Sequence, residues 1–147
     1  MKTKILHGIG GLDYIEIRQV PFRTSHDKSI GDVVAIDLGS LERLVASELI
    51  RQRVPIRGKE VHFLRKALGM SMEKFAGSLG LTAASILKWE KASTKRLALV
   101  NEFAVRGFVA ERLKTVAPVN FSDLNESTES PRKTIINWKP TAKSKAA

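Results

Sequence analysis

Few side chains in this sequence are arranged to do covalent chemistry. His7, His26 and His62 stand far apart, and no Ser/His/Asp spacing that would pair a nucleophile with its base stands out. The chain has no cysteine, hence no thiol nucleophile, disulfide or thiolate metal site. Gly8, Gly10 and Gly11 do not follow a strand and open a helix, as a phosphate-binding loop requires. The sequence therefore predicts no enzyme activity, no cofactor and no metal. What remains is lysine and arginine, whose chemistry is attraction to anions.

Those cations are unevenly spread. The chain carries 25 Lys and Arg against 15 Asp and Glu, a net charge of +10 with pI near 10.2. Residues 1–57 hold 9 basic and 7 acidic residues, residues 58–116 hold 11 and 5, and residues 117–147 hold 5 and 3. The middle segment alone is +6, as expected if it faces a polyanion. Charge by itself leaves nucleic acid, acidic lipid and acidic protein all open. No run of ~18 apolar residues could span a bilayer, and the first residues, MKTKILHGIGGLDYIEI, lack the long apolar stretch followed by small residues of an export signal. A cytoplasmic protein with no membrane partner is the expectation.

Within the basic segment, residues 71–91 read SMEKFAGSLGLTAASILKWEK. Two short helices meeting at a sharp turn would need Phe75 and Leu79 to face inward and small Ala76 where the helices cross. Gly80 would supply the positive φ of the turn, and Leu81 would plug its base. Ile86 and Trp89, three residues apart, would pack back onto the first helix. These types at these positions predict a helix-turn-helix.

The surrounding pattern predicts an α+β fold, mainly α, in three parts. Residues 1–57 read as a β-containing arm with one helix: strands at 12–20 and Val33–Asp37, broken after Val20-Pro21, then a helix from Leu41 to Arg53 capped by Ser40. Residues 58–116 read as the helix-turn-helix domain, of the five-helix type. Its helices are expected at Lys59–Leu68, Met72–Leu79, Ala83–Lys91 and Lys95–Lys114, the last with Leu97, Val100, Ala104 and Phe108 as its apolar stripe. Phe103, Val105, Val109 and Leu113 widen that surface, as a subunit contact would require. Residues 117–147 read as a flexible basic tail interrupted by Pro118, Pro131 and Pro140. Its one apolar cluster, Ile135, Ile136 and Trp138, would either dock or lie in solvent.

PheLeuArgLysAlaLeuGlyMetSer, the motif and TrpGluLys together resemble the phage-repressor-like (Xre/Cro) helix-turn-helix family over roughly residues 59–110. A longer resemblance, carried by GlyLeuAspTyrIleGluIle, ValAlaIleAsp and GlyLysGluValHisPheLeuArgLys, is to small regulators grouped with MqsA-type antitoxins. Many of those begin with a zinc ribbon of cysteines, which this chain lacks, so zinc binding is not carried over.

The resemblance implies that the second motif helix enters the major groove, with Thr82, Ala83, Ala84, Leu87 and Lys88 toward base edges. Lys88 can donate to guanine O6 or N7, or else hold a phosphate. Ala83 and Ala84 can only touch thymine methyls and allow close approach. Ser71, Met72, Lys74, Ser85, Lys91, Lys95 and Arg96 are the implied phosphate contacts, with ordinary solvated charge as the alternative for each lysine or arginine. Arg65 and Glu90 are expected to form a partly buried, orienting salt bridge. The implied function is that of a dimeric transcriptional regulator, a repressor or autoregulator, on a palindromic double-stranded operator. An antitoxin that neutralises a toxin protein while autoregulating is the alternative, and a weakly specific architectural binder is a third.

Overall fold

The computed structural model describes residues 2–117, 120–125 and 130–138. The elements, in chain order, are strand β1 (Lys2–His7), a 3-10 turn (Ile9–Gly11), β2 (Ile15–Thr24), β3 (Asp32–Val34), helices α1 (Leu38–Arg51), α2 (Gly58–Ala67), α3 (Met72–Ser78), α4 (Ala83–Lys91), α5 (Leu99–Leu113) and α6 (Phe121–Asn125), and strand β4 (Thr134–Asn137). The class is α+β. Two compact units divide the chain, one built from residues 1–44 and the segment beginning at Lys133, the other Val45–Arg132. The division falls inside α1 rather than after residue 57, because backbone groups of Ile50, Val54 and Ile56 are bound by side chains of α5.

The first unit is a four-stranded sheet in which β2 pairs antiparallel with β1 and β3 and parallel with β4. β1 takes one edge of β2, so β4 along Ile15–Arg18 and β3 along Phe22–Thr24 share the other. Leu12, Ile15, Ile17, Val20, Leu41 and Ile136 are buried. The break expected at Pro21 does not occur. The Pro21 carbonyl accepts from Ala35, so its missing N–H also faces the side just beyond β3, where the ladder has ended. The extra residue of a β-bulge lies instead at Gln19, with φ of 62°.

Several other expectations are corrected here. β1 stands where no strand was expected. β3 ends at Val34 rather than Asp37 because Asp37 is spent on capping α1: its carboxylate accepts from the Ser40 amide (3.0 Å) and hydroxyl (2.9 Å). Ser40 is therefore inside the helix and is not its cap. The C-terminal region is not wholly without structure: α6 forms, and Thr134 and Ile136 are buried on β4 while Ile135 and Asn137 are exposed. Pro118, Pro140 and the basic run from Lys139 lie outside the described residues.

The second unit is organised by one carboxylate. Glu102 on α5 is fully buried and accepts from Arg96 Nε (2.7 Å) and Nη2 (3.0 Å), Arg106 Nε (3.0 Å) and the Ile56 amide (3.3 Å). Arg106, equally buried, donates onward to the carbonyls of Ile50 and Val54. Burial pushes the Arg106 pKa down while Glu102 opposes it, and a guanidinium remains charged there. The buried face of α5 is thus Glu102, Val105, Arg106, Val109 and Ala110. Of the stripe expected through Val100, Ala104 and Phe108, the first two are exposed, Val100 by 71%, while Phe108 is half-buried against Phe75. The helix also begins at Leu99, not Lys95. Residues before it run extended instead, with the Leu97 amide on the Ile56 carbonyl (2.9 Å).

Removing either half of this buried pair leaves an unmatched charge. Glu102→Ala is expected to cost about 3–5 kcal/mol, and the cost of Glu102→Ala with Arg106→Ala to fall well below the sum of the singles. Chemical denaturation of the three variants measures both.

Candidate nucleic-acid interface

The site begins with the connection between α3 and α4. Ser71 caps α3, its hydroxyl accepting from the Lys74 amide (3.2 Å), and Thr82 caps α4, accepting from the Ser85 amide (3.4 Å). Between them the chain turns through Gly80 at φ 71°, and the Leu81 amide reaches back to the Ala76 carbonyl (2.8 Å). Phe75, Ala76 and Ile86 are buried, with Phe75 edge-on to Phe108 of α5 at 5.7 Å. Leu79 and Trp89 are half-buried. Leu81 does not plug the turn, being 37% exposed. Its backbone, rather than its side chain, closes the connection.

α4 also packs on α2, and this second contact fixes its roll. Gly58 opens α2 so close to the end of α4 that a Cβ there would sit 2.0 Å from the Trp89 carbonyl oxygen and 2.7 Å from that of Ala92. The Gly58 and Lys59 amides, unpartnered within their own helix, donate to the carbonyls of Lys95 (3.2 Å) and Ser93 (2.9 Å). Arg65 on α2 grips Glu90 on α4 with two prongs, Nε to Oε2 at 2.8 Å and Nη2 to Oε1 at 3.0 Å, and donates Nη1 to the Met70 carbonyl (3.0 Å). His62, one turn before Arg65, places Nδ1 2.6 Å from Glu90 Oε1. Neither Gly58 nor His62 was expected as a partner of α4. The Arg65–Glu90 resemblance pointed at the pair, and the i, i+3 spacing from His62 to Arg65 puts both on one helix face.

With those contacts made, α4 presents Ala84, Leu87, Lys88 and Lys91 to solvent, positions i, i+3, i+4 and i+7 of one stripe. Ala83 and Ser85 flank it half-exposed, and the Ser85 hydroxyl lies 3.3 Å from that of Thr82. Ser71, Lys74, Thr82 and Lys95 are exposed, and Met72 is half-buried. Arg96 is the exception among the residues expected at a phosphate. Its guanidinium is only 10% exposed and is held by Glu102 and the Leu124 carbonyl. It is withdrawn into the core and cannot serve as a surface cation.

The only acid on α4, Glu90, is likewise taken off the surface. Burial works to raise its pKa, but the bonds from Arg65 and His62 and their charges outweigh burial and hold it below the ordinary 4.5. The stripe therefore carries cationic and apolar groups and no anion. Among the described residues no helix is long and apolar enough to cross a membrane, and no group of His, Cys, Asp and Glu could hold a metal ion.

Two measurements test the clasp. Gly58→Ala is expected to cost about 2–3 kcal/mol, since carbonyl oxygens of the α4 end would have to move. Gly77→Ala, with open space at its Cβ, should instead gain up to ~1 kcal/mol in thermal stability. Because the folded pKa of Glu90 is depressed, its contribution is present above pH 4.5 and is lost as pH falls through the lower folded value. The Tm gap between wild type and Glu90→Gln should thus hold steady above pH 4.5 and narrow as pH falls below it; a gap unchanged in acid would show that the charge does not hold α4. No protein-family model, characterised protein or solved structure matches this chain.

Proposed function

We propose that α3 and α4 are a helix-turn-helix and that the protein is a sequence-specific, double-stranded-DNA-binding regulator. The observation that carries this reading is the outward stripe Ala84–Leu87–Lys88–Lys91 on a helix whose single acid is sequestered, in a segment with a net charge of +6. A helix diameter matches the major groove, and α4 is supported along its length by α2 and α3, which leaves its opposite face for the duplex. In this reading Thr82, Ala83, Ala84, Leu87 and Lys88 face base edges. Ser71, Met72, Lys74, Ser85, Lys91 and Lys95 lie toward phosphates, and Arg96 is not among them.

One α4 of nine residues offers few base contacts, so the active form in this proposal is a homodimer on a palindrome, with its two α4 helices about 34 Å apart along the duplex. Repression or autoregulation is the corresponding role, in the cytoplasm. An antitoxin function is the second reading, and the separate N-terminal unit favours it. Among the described residues its β1 strand is paired on one side only, an edge that a partner's strand could extend. Protection against a co-encoded toxin that persists in Lys88 variants would support this second role.

Selection from random duplexes, followed by binding isotherms at several salt concentrations, tests the main reading. The expected result is one enriched, two-fold-symmetric motif. Lys91→Ala should weaken all sequences alike and reduce the salt slope by about 1, while Lys88→Ala should cost about 1–3 kcal/mol and relax preference at one base pair. Binding with a steep salt slope but no enriched motif would replace the regulator by an architectural binder, and no binding at low salt would overturn both.

A further inference from the structure

Resting on the DNA-reading role proposed above, we infer that α4 recognises thymine through its 5-methyl group, with Leu87 as the specificity-determining side chain and Ala84 beside it. Direct readout by hydrogen bonds has a short vocabulary: Arg or Lys on guanine, Asn or Gln on adenine, Asp or Glu on cytosine. The outward stripe of α4 contains no Arg, Asn or Gln. Its one carboxylate, Glu90, is held by Arg65 and His62. The Thr82 hydroxyl accepts the Ser85 amide that caps the helix, and the two hydroxyls lie within hydrogen-bond distance of each other. Lys88 is the single long donor central to the stripe.

Half of the stripe is apolar and open. Leu87 is 41% exposed, and Ala84, one turn nearer the helix start, is exposed as well. A lone exposed leucine is ordinary. This one is different in its setting: it lies beside Lys88 and one turn before Lys91 on a helix whose single acid is sequestered, where the complementary partner is a polyanion. The apolar feature that a polyanionic duplex displays in its major groove is the thymine 5-methyl group. Ala84 leaves the space for a base edge to approach, and the Leu87 isobutyl group then covers the methyl. Lys88 and Lys91, at the other end of the stripe, supply the guanine or phosphate contacts.

The methyl can be removed without altering base pairing, which makes the inference directly testable. Random duplex pools are synthesised with either thymine or uracil, and the full-length protein is used to select from each. The best thymine duplexes are then remade with uracil at single positions. Wild type should bind each uracil version about fourfold more weakly at the contacted position, the worth of one buried methyl-sized group, and be indifferent elsewhere. Leu87→Ala, a surface change that leaves the fold intact, should bind thymine and uracil versions equally.

Sequence-selective binding with no thymine–uracil difference would overturn the inference while leaving the DNA-binding role standing. Discrimination that survives in Leu87→Ala would overturn the assignment to Leu87. Failure to enrich any sequence from either pool would overturn the inference together with the role it rests on, including the case in which the stripe docks on a protein.

Discussion

A carboxylate with no exposure must have its charge answered from within the protein, and in the second unit Glu102 is answered from three directions at once. Ile56 reaches it from the segment before α2, Arg96 from the segment after α4, and Arg106 from one turn along α5. A buried ion pair contributes little net stability against an apolar equivalent of the same shape. What it supplies here is position. It fixes the two chain segments that flank α2 and α4 side by side, and Gly58, Lys59 and Leu97 then complete their backbone pairing with Lys95, Ser93 and Ile56.

That pairing sets the outward face of α4. The helix is located at its start by the α3 connection and at its end by Gly58, and its rotation about its own axis is set by the Arg65–Glu90 fork. A helix held at only one end could turn by a residue, which would move the exposed stripe by about 100° and carry Glu90 outward. The same ion pair therefore does two jobs. It orients α4, and it takes the one negative charge of that helix off the surface.

How far this was legible in the sequence depends on how local the signal is. The α3–α4 region was readable because its determinants lie within 21 residues of one another: two capping hydroxyls, a glycine at the turn and apolar residues at helical spacing. α5 was readable as a helix but not in its orientation. Its buried face is centred on Glu102 and Arg106, so a search for an apolar stripe selects Val100 and Ala104, which point to solvent. β1 escaped notice because it is exposed along nearly its whole length and so has no alternating pattern. β4 carries a clear two-residue alternation, yet its partner β2 lies more than a hundred residues earlier, and four residues amid serines and lysines give no local sign of that pairing. Arg96 was misassigned for the same reason. Nothing adjacent to it in sequence distinguishes a guanidinium bound for the core from one bound for a phosphate.

Arg96 also shows why the charge count alone overstates the basic surface. Of the cations in residues 58–116, Arg65, Arg96 and Arg106 are spent inside on Glu90 and Glu102. Two buried carboxylates thus consume three arginines, while the lysines Lys74, Lys88, Lys91 and Lys95 stay outside. The partition follows from the side chains. A planar guanidinium can satisfy several buried acceptors at fixed angles, whereas an ammonium is more strongly hydrated and loses more on leaving water. An outer surface of lysines attracts a phosphate backbone with little geometric preference. In the proposed DNA-binding role, any discrimination among sequences would then fall to the shape and apolar character of Ala84 and Leu87, the exposed groups of α4 that precede Lys88 and Lys91.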